Sequence, residues 1–181
     1  MLPTPVQKLA WSAVIFLALA GTMFGQPLKS QEKAQKKETI KPMQLNPIGT
    51  VRHEDKRTFL EILPEYAQAL DGLAGFSHVW VFYWFNENDD PDSRATLKVH
   101  PRRDPTNPLT GVFATRSPVR PNLIGLTACR ILKVEGNIVK VADLDARDGS
   151  PIVDLKPYIP KGDSIPDAVT PEWVKKPKPP E

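Results

Sequence analysis

The amino-acid sequence predicts a mainly β protein, a small single-domain barrel of short strands with few, short helices. Twenty prolines among 181 residues leave little room for long helices, because proline lacks a backbone donor and clashes with the preceding turn. The apolar stretches are short and separated by Pro, Gly and Asn turns, which is a β pattern. One of them, Ser77 to Phe85, is so rich in β-branched and aromatic residues that it reads as a fully buried strand.

Taken in order, residues 1–20 read as an export signal. Lys8 precedes an apolar run, Leu9 to Ala20, that is short for a membrane span. Ala18-Leu19-Ala20 offers the small residues that a signal peptidase reads. No cysteine follows the run, which excludes a lipoprotein anchor. An uncleaved membrane anchor reaching Phe24 is the alternative. Residues 21–45 form a linker rich in Lys, Gln and Glu, with too little apolar surface to offset the entropy of ordering. The domain is expected over residues 46–167 and a disordered tail over 168–181.

Within the domain, a first strand is expected near Pro47 to His53 and a second at Phe59 to Ile62. Pro64 to Leu70 reads as a short helix, since proline suits the first turn and Tyr66, Ala67 and Leu70 recur at helical spacing. Gly72 and Gly75 end it. In the Ser77–Phe85 strand, alternation puts Trp80, Phe82 and Trp84 on one face and Val79, Val81, Tyr83 and Phe85 on the other. Core packing is the ordinary use of such aromatic residues. Asn86 to Pro108 reads as polar loop with a short strand around Ala95 to His100. A short apolar strand, Val112 to Ala114, follows. Leu126–Val134 and Asn137–Leu144 form a hairpin about Glu135-Gly136-Asn137. Beyond Pro157 the pattern is irregular.

The charge is unevenly spread. Residues 42–181 carry 18 cations against 19 anions, so any attraction for nucleic acid must come from a local patch. The single cysteine, Cys129, excludes an internal disulfide. His53, His78 and His100 lie far apart, without paired Cys/His spacing, so no metal site is expected. Neither a glycine-rich phosphate loop nor a Gly-x-Ser-x-Gly elbow is present.

The stretch that carries chemistry is Gly111-Val112-Phe113-Ala114-Thr115-Arg116-Ser117-Pro118-Val119-Arg120-Pro121, followed by Asn122-Leu123-Ile124-Gly125-Leu126. Proline stiffens the turn that holds Arg116 and Arg120. A guanidinium held this way can grip a carboxylate or phosphate with two bonds. On chemistry alone the same run could be a surface turn with two solvated arginines. Arg102 and Arg103 could join the pair in a basic patch.

This run resembles the signature of the TsaA/TrmO-like family, with Leu123 where the family pattern has proline. Asp145-Ala146-Arg147-Asp148-Gly149-Ser150-Pro151 and its continuation to Tyr158 resemble a second family block, and Gly75-Phe76-Ser77-His78-Val79-Trp80 a third. The blocks fall in the family's order and cover roughly Asn46 to Asp167. The resemblance implies a TsaA-like β-barrel that uses S-adenosyl-L-methionine to N6-methylate threonylcarbamoyladenosine in tRNA, as a homodimer with the cofactor site near the interface. It places cofactor contacts at Phe85, Asn86, Arg116, Leu126, Leu144 and Asp145. Asp145 and Asp148 become the candidate catalytic bases, although aspartates in such loops also cap turns. Arg120, with Arg102 and Arg103, becomes the candidate RNA contact. Two departures stand out. Many members have histidine at the position of Asn86. The Pro-Arg-Gln loop that bacterial members carry after the first strand is replaced here by His53-Glu54-Asp55-Lys56-Arg57.

Export and tRNA chemistry pull apart. The leader implies an exported or periplasmic protein, and hence an alternative: a non-catalytic module binding a small ligand on the same barrel. Lys29 to Lys41 would instead suit a membrane anchor with the domain on the cytoplasmic side. A start at Met43 would make the protein cytoplasmic.

Overall fold

A computed structural model describes residues 41–176. The expected export segment, most of the linker and the last five residues of the expected tail lie outside the described residues.

Six antiparallel strands close into a barrel. In chain order the strands are β1 Gly49–Glu54, β2 Arg57–Ile62, β3 His78–Trp84, β4 Lys98–Val99, β5 Thr110–Gly111, β6 Ile124–Glu135, β7 Ile138–Ala142 and β8 Pro151–Pro157. Around the barrel they run β1-β2-β7-β6-β3-β8, and β4 and β5 form a separate two-stranded ribbon. The β1–β2 hairpin turns through Asp55 and Lys56, both at positive φ (47° and 64°), the backbone sense that matches strand twist in two-residue turns. The seam between β1 and β8 pairs only Gly49 with Ile152 and Thr50 with Pro151. Bonds from Val51 N to Ser150 O (2.9 Å) and from Gly149 N to Val51 O (2.9 Å) extend it.

Alternation fills the interior. Val51, Leu60, Ile62, Val79, Val81, Cys129, Val139, Val141 and Ile152 are buried there. Burial pushes the Cys129 thiol up to about 12, so it stays a neutral, apolar neighbour at physiological pH. β3 departs from the expectation of full burial. Val79, Val81 and Tyr83 are buried, while His78, Trp80, Phe82 and Trp84 are half-buried. A barrel strand has one interior face only. The outer aromatics are covered individually: Tyr158 packs on Trp80 (5.6 Å), and Arg94 lies over Trp84 (5.4 Å).

Other expectations shift locally. Pro64–Leu70 is helical but 3₁₀, with no side-chain cap at Leu63. Ala95 ends a five-residue helix, Pro91–Ala95, capped by Asp90 through Ser93 N, so the strand expected at Ala95–His100 shrinks to Lys98–Val99. Val112–Ala114 is not a strand but a 3₁₀ turn. The Thr115 hydroxyl and amide both donate to Val112 O (2.9 and 3.1 Å) and close it. The expected hairpin is present, with Ile124–Glu135 turning through Gly136-Asn137 into Ile138–Ala142. Leu123 is fully buried, and its carbonyl accepts from Phe85 N (2.8 Å). The leucine that departs from the family pattern is thus a packing residue.

Candidate active site

Antiparallel pairing brings the end of β3, the start of β6 and the loop before β8 to one end of the barrel. With the Thr115–Pro121 loop they enclose a cleft of about 730 Å³. Five of the expected cofactor residues line it: Phe85, Asn86, Arg116, Leu126 and Asp145. The sixth, Leu144, does not; it packs on the barrel core.

Asp145 is exposed yet tied. Its Oδ1 accepts from the Tyr83 hydroxyl (2.8 Å) and also from the Thr127 hydroxyl. Oδ2 accepts no bond among the described residues. Asp148 has a different role. Its Oδ1 accepts from His53 N (2.8 Å) and it does not line the cleft. Gly149 follows at φ 78°, a left-handed conformation that suits glycine. His53 Nε2 lies 2.8 Å from Ala146 O and its Nδ1 3.0 Å from the Thr58 hydroxyl. The 145–150 loop is therefore anchored to β1, with Asp148 as an anchor and Asp145 facing the cleft.

The arginines also divide. Arg116 is exposed, and its guanidinium makes no hydrogen bond or ion pair among the described residues. Arg120 Nη1 donates to Thr115 O and Ser117 O at 3.3 and 3.4 Å, so it lines the cleft while bracing the loop that carries Arg116. Arg103 reaches the cleft. Arg102 does not, because it donates to the carbonyls of Val174 (2.7 Å) and Lys176. The two adjacent arginines serve opposite sides, and the chain beyond Asp167 is docked through the first of them. Arg147, on the rim, is paired with Glu87 (3.1 Å), which leaves Arg103, Arg116 and Arg120 as the cleft's cations without an acidic partner among the described residues.

Sequence reasoning did not select Tyr83, Thr127 or Gly125 as builders of this site. Alternation puts Tyr83 inside the barrel, but its partner across the ladder is a matter of register. It stands opposite Gly125.

Residues 34–164 match the family model described as the tRNA-methyltransferase O N-terminal domain. The chain belongs to the TrmO family. A probable S-adenosyl-L-methionine-binding protein of Methanocaldococcus jannaschii is 44% identical over 119 residues, covering 66% of this chain and 94% of that one. The human tRNA (adenine(37)-N6)-methyltransferase is 44% identical over 108 residues, covering 60% of this chain but only 23% of the human protein. A solved TrmO from Pseudomonas aeruginosa superposes with a TM-score of 0.61 at 30% identity, covering 79% of this chain and 66% of that one. The chain thus spans just under two thirds of that solved relative. The barrel expected from sequence is the family's fold.

Proposed function

We propose that the chain is an S-adenosylmethionine-dependent methyltransferase that N6-methylates threonylcarbamoyladenosine beside the tRNA anticodon. The observation that carries this reading is the convergence of Phe85, Asn86, Arg116, Leu126 and Asp145 on one cleft. The residues fit the cofactor's chemistry. A cleft of about 730 Å³ lies within the ~300–1,000 Å³ typical of small-molecule sites. Phe85 and Leu126 offer apolar surface to a purine. The unpaired Arg116 guanidinium suits a carboxylate, and Asp145 Oδ2 suits a cation or an N–H donor. When bound, the cofactor supplies a methyl group on a positively charged sulfur. Asp145 is the group placed to take the proton that the acceptor nitrogen loses. The cleft walls supply the orientation from which much of such a rate gain arises.

Arg103, Arg116 and Arg120 give the mouth of the cleft a local positive field, although the domain is not basic overall. That is where the RNA backbone would lie. A homodimer with the cleft near its interface belongs to the same reading. Its support is exposed apolar surface on the β4–β5 ribbon and the turn after it, where Leu97, Leu109 and Phe113 are 65%, 57% and 78% exposed. The Val112 N to Leu97 O bond sets Leu97 beside the Val112–Phe113 turn, and the β4–β5 pairing places Leu109 at the other end of the ribbon.

Calorimetry of the full-length chain with S-adenosylmethionine, then methyl transfer to tRNA with and without the threonylcarbamoyl group, tests the proposal. Saturable binding and transfer only to the modified tRNA are expected. Absence of both would overturn it. Transfer to unmodified adenosine would discard the threonylcarbamoyl specificity alone.

One observation favours a second reading. The leader at residues 1–20 supports an exported or periplasmic location, where a binding module without catalysis would serve. Fractionation and sequencing of the mature N-terminus decide the location. A chain beginning at Gly21 outside the cytoplasm, with no methyl transfer, would favour the module. An uncleaved, cytoplasm-facing chain or one starting at Met43 would favour the enzyme.

A further inference from the structure

Tyr83 is the only tyrosine or tryptophan of β3 that points into the barrel; the residue is 3% exposed. An interior ring normally carries its hydroxyl into the core, where it needs a partner. Here the ring lies across β6 at Gly125. A Cβ on that glycine would come within 2.4 Å of two Tyr83 ring carbons, Cε2 and Cζ, so no larger residue can occupy the position while the ring stays where it is. Lying there, the ring delivers its hydroxyl to Asp145 Oδ1 at 2.8 Å. Thr127 is two residues beyond Gly125 and therefore on the same face of β6. Its hydroxyl donates to the same oxygen. Phe85 meets the Tyr83 ring edge-on at 5.4 Å and adds to its packing. Burial, with Asp145 beside it, raises the Tyr83 hydroxyl above its usual range, which keeps it a donor.

We infer that Tyr83 and Thr127 are positioning residues that fix the Asp145 carboxylate, with Gly125 as the seat for the tyrosine ring. Both donors occupy Oδ1, so Oδ2 alone is presented to a ligand, and a proton taken from an N–H in the cleft must land on it. An exposed aspartate without these donors would sample several rotamers. The two hydroxyls select one. This inference rests on the methyltransferase reading of the cleft.

The test is a double-mutant cycle on the full-length chain, with S-adenosylmethionine affinity read by calorimetry. Tyr83→Phe keeps the ring and should weaken binding roughly fivefold, about one hydrogen bond's worth. On an Asp145→Ala background the same change should have less than about a twofold effect, because its target is gone. Thr127→Val should lose binding as Tyr83→Phe does, and Thr127→Ser should restore it. Equal losses on both backgrounds, or wild-type affinity in Tyr83→Phe, would overturn the inference. If Tyr83→Phe does not fold, the Thr127→Val and Asp145→Ala cycle reads the same coupling. If the wild type binds no S-adenosylmethionine, the methyltransferase reading fails by itself. The side-chain carboxyl ¹³C resonance of Asp145 at neutral pH then decides: a shift in Tyr83→Phe supports positioning, and an unchanged line overturns it.

Discussion

The cleft has two walls of opposite construction. The barrel wall is cross-tied: Tyr83 and Thr127 hold Asp145, and His53 holds both Ala146 and Asp148. The loop wall, Thr115 to Pro121, is shaped by its prolines and by two long bonds from Arg120. On the first wall the acidic group is placed by neighbours before any ligand arrives. On the second Arg120 braces the loop while Arg116 stays unspent, so that it can give its full bonding capacity to an anion. Placement and availability are divided between the walls, and each can be broken separately.

The largest effect is expected from Gly125→Ala. The new methyl overlaps the Tyr83 ring, and a buried ring cannot swing aside without repacking its neighbours. Overpacking of this kind costs about 2–3 kcal/mol, and urea denaturation should show that loss together with loss of cofactor binding. A variant of wild-type stability would mean that the ring has another place to go.

Next comes the loop wall. Arg116→Ala should weaken S-adenosylmethionine binding by about 1.5–3 kcal/mol, the range for a lost charge-assisted bond, with the melting temperature unchanged. Arg120→Ala should leave that binding nearly intact and flatten the salt dependence of RNA binding by about one phosphate. Cofactor loss on Arg120→Ala equal to that of Arg116→Ala would instead make bracing of the loop its main role.

How much of this was readable in the sequence follows the same division. The barrel, its hairpins and the stiff arginine loop follow from periodicity and proline, which are local signals. Five of the six residues that the motif blocks proposed as cofactor contacts lie on one cleft. What escaped depends on pairing between distant strands. Nothing local says that Tyr83 faces Gly125, or that Asp148 reaches His53 rather than its own turn. Leu144 sits beside Asp145 in the motif, but β7 ends at Ala142, and Asp143 at φ 67° breaks the strand alternation, so that Leu144 packs on the core. Val112 reads as a strand residue by propensity, yet the Thr115 side chain closes a turn around its carbonyl and the local hydrogen bonds win.

A smaller effect separates the two aspartates of one loop. Asp148→Ala removes the acceptor of His53 N and should cost about 1 kcal/mol of stability while the folded protein still binds cofactor. Asp145→Asn should abolish turnover or weaken binding with little change in melting. Reversal of that pattern would exchange anchor and site.

The smallest effect concerns the neighbours Arg102 and Arg103, both at positive φ (62° and 57°). This backbone turns one guanidinium to the carbonyls of Val174 and Lys176 and the other to the cleft. The bonds of Arg102 are exposed and lie far from the barrel core, so Arg102→Ala should lower global stability by no more than about 0.5–1 kcal/mol. Its consequence should be local. The Val174 amide, bonded to Pro171 O at 3.0 Å, should exchange with solvent faster, because docked terminal segments open at low free energy. RNA binding should keep its salt slope in this variant, whereas Arg103→Ala should reduce the slope by about one. A reduced slope in Arg102→Ala with unchanged Val174 exchange would assign the first arginine to the RNA face and leave the terminal segment held by something else.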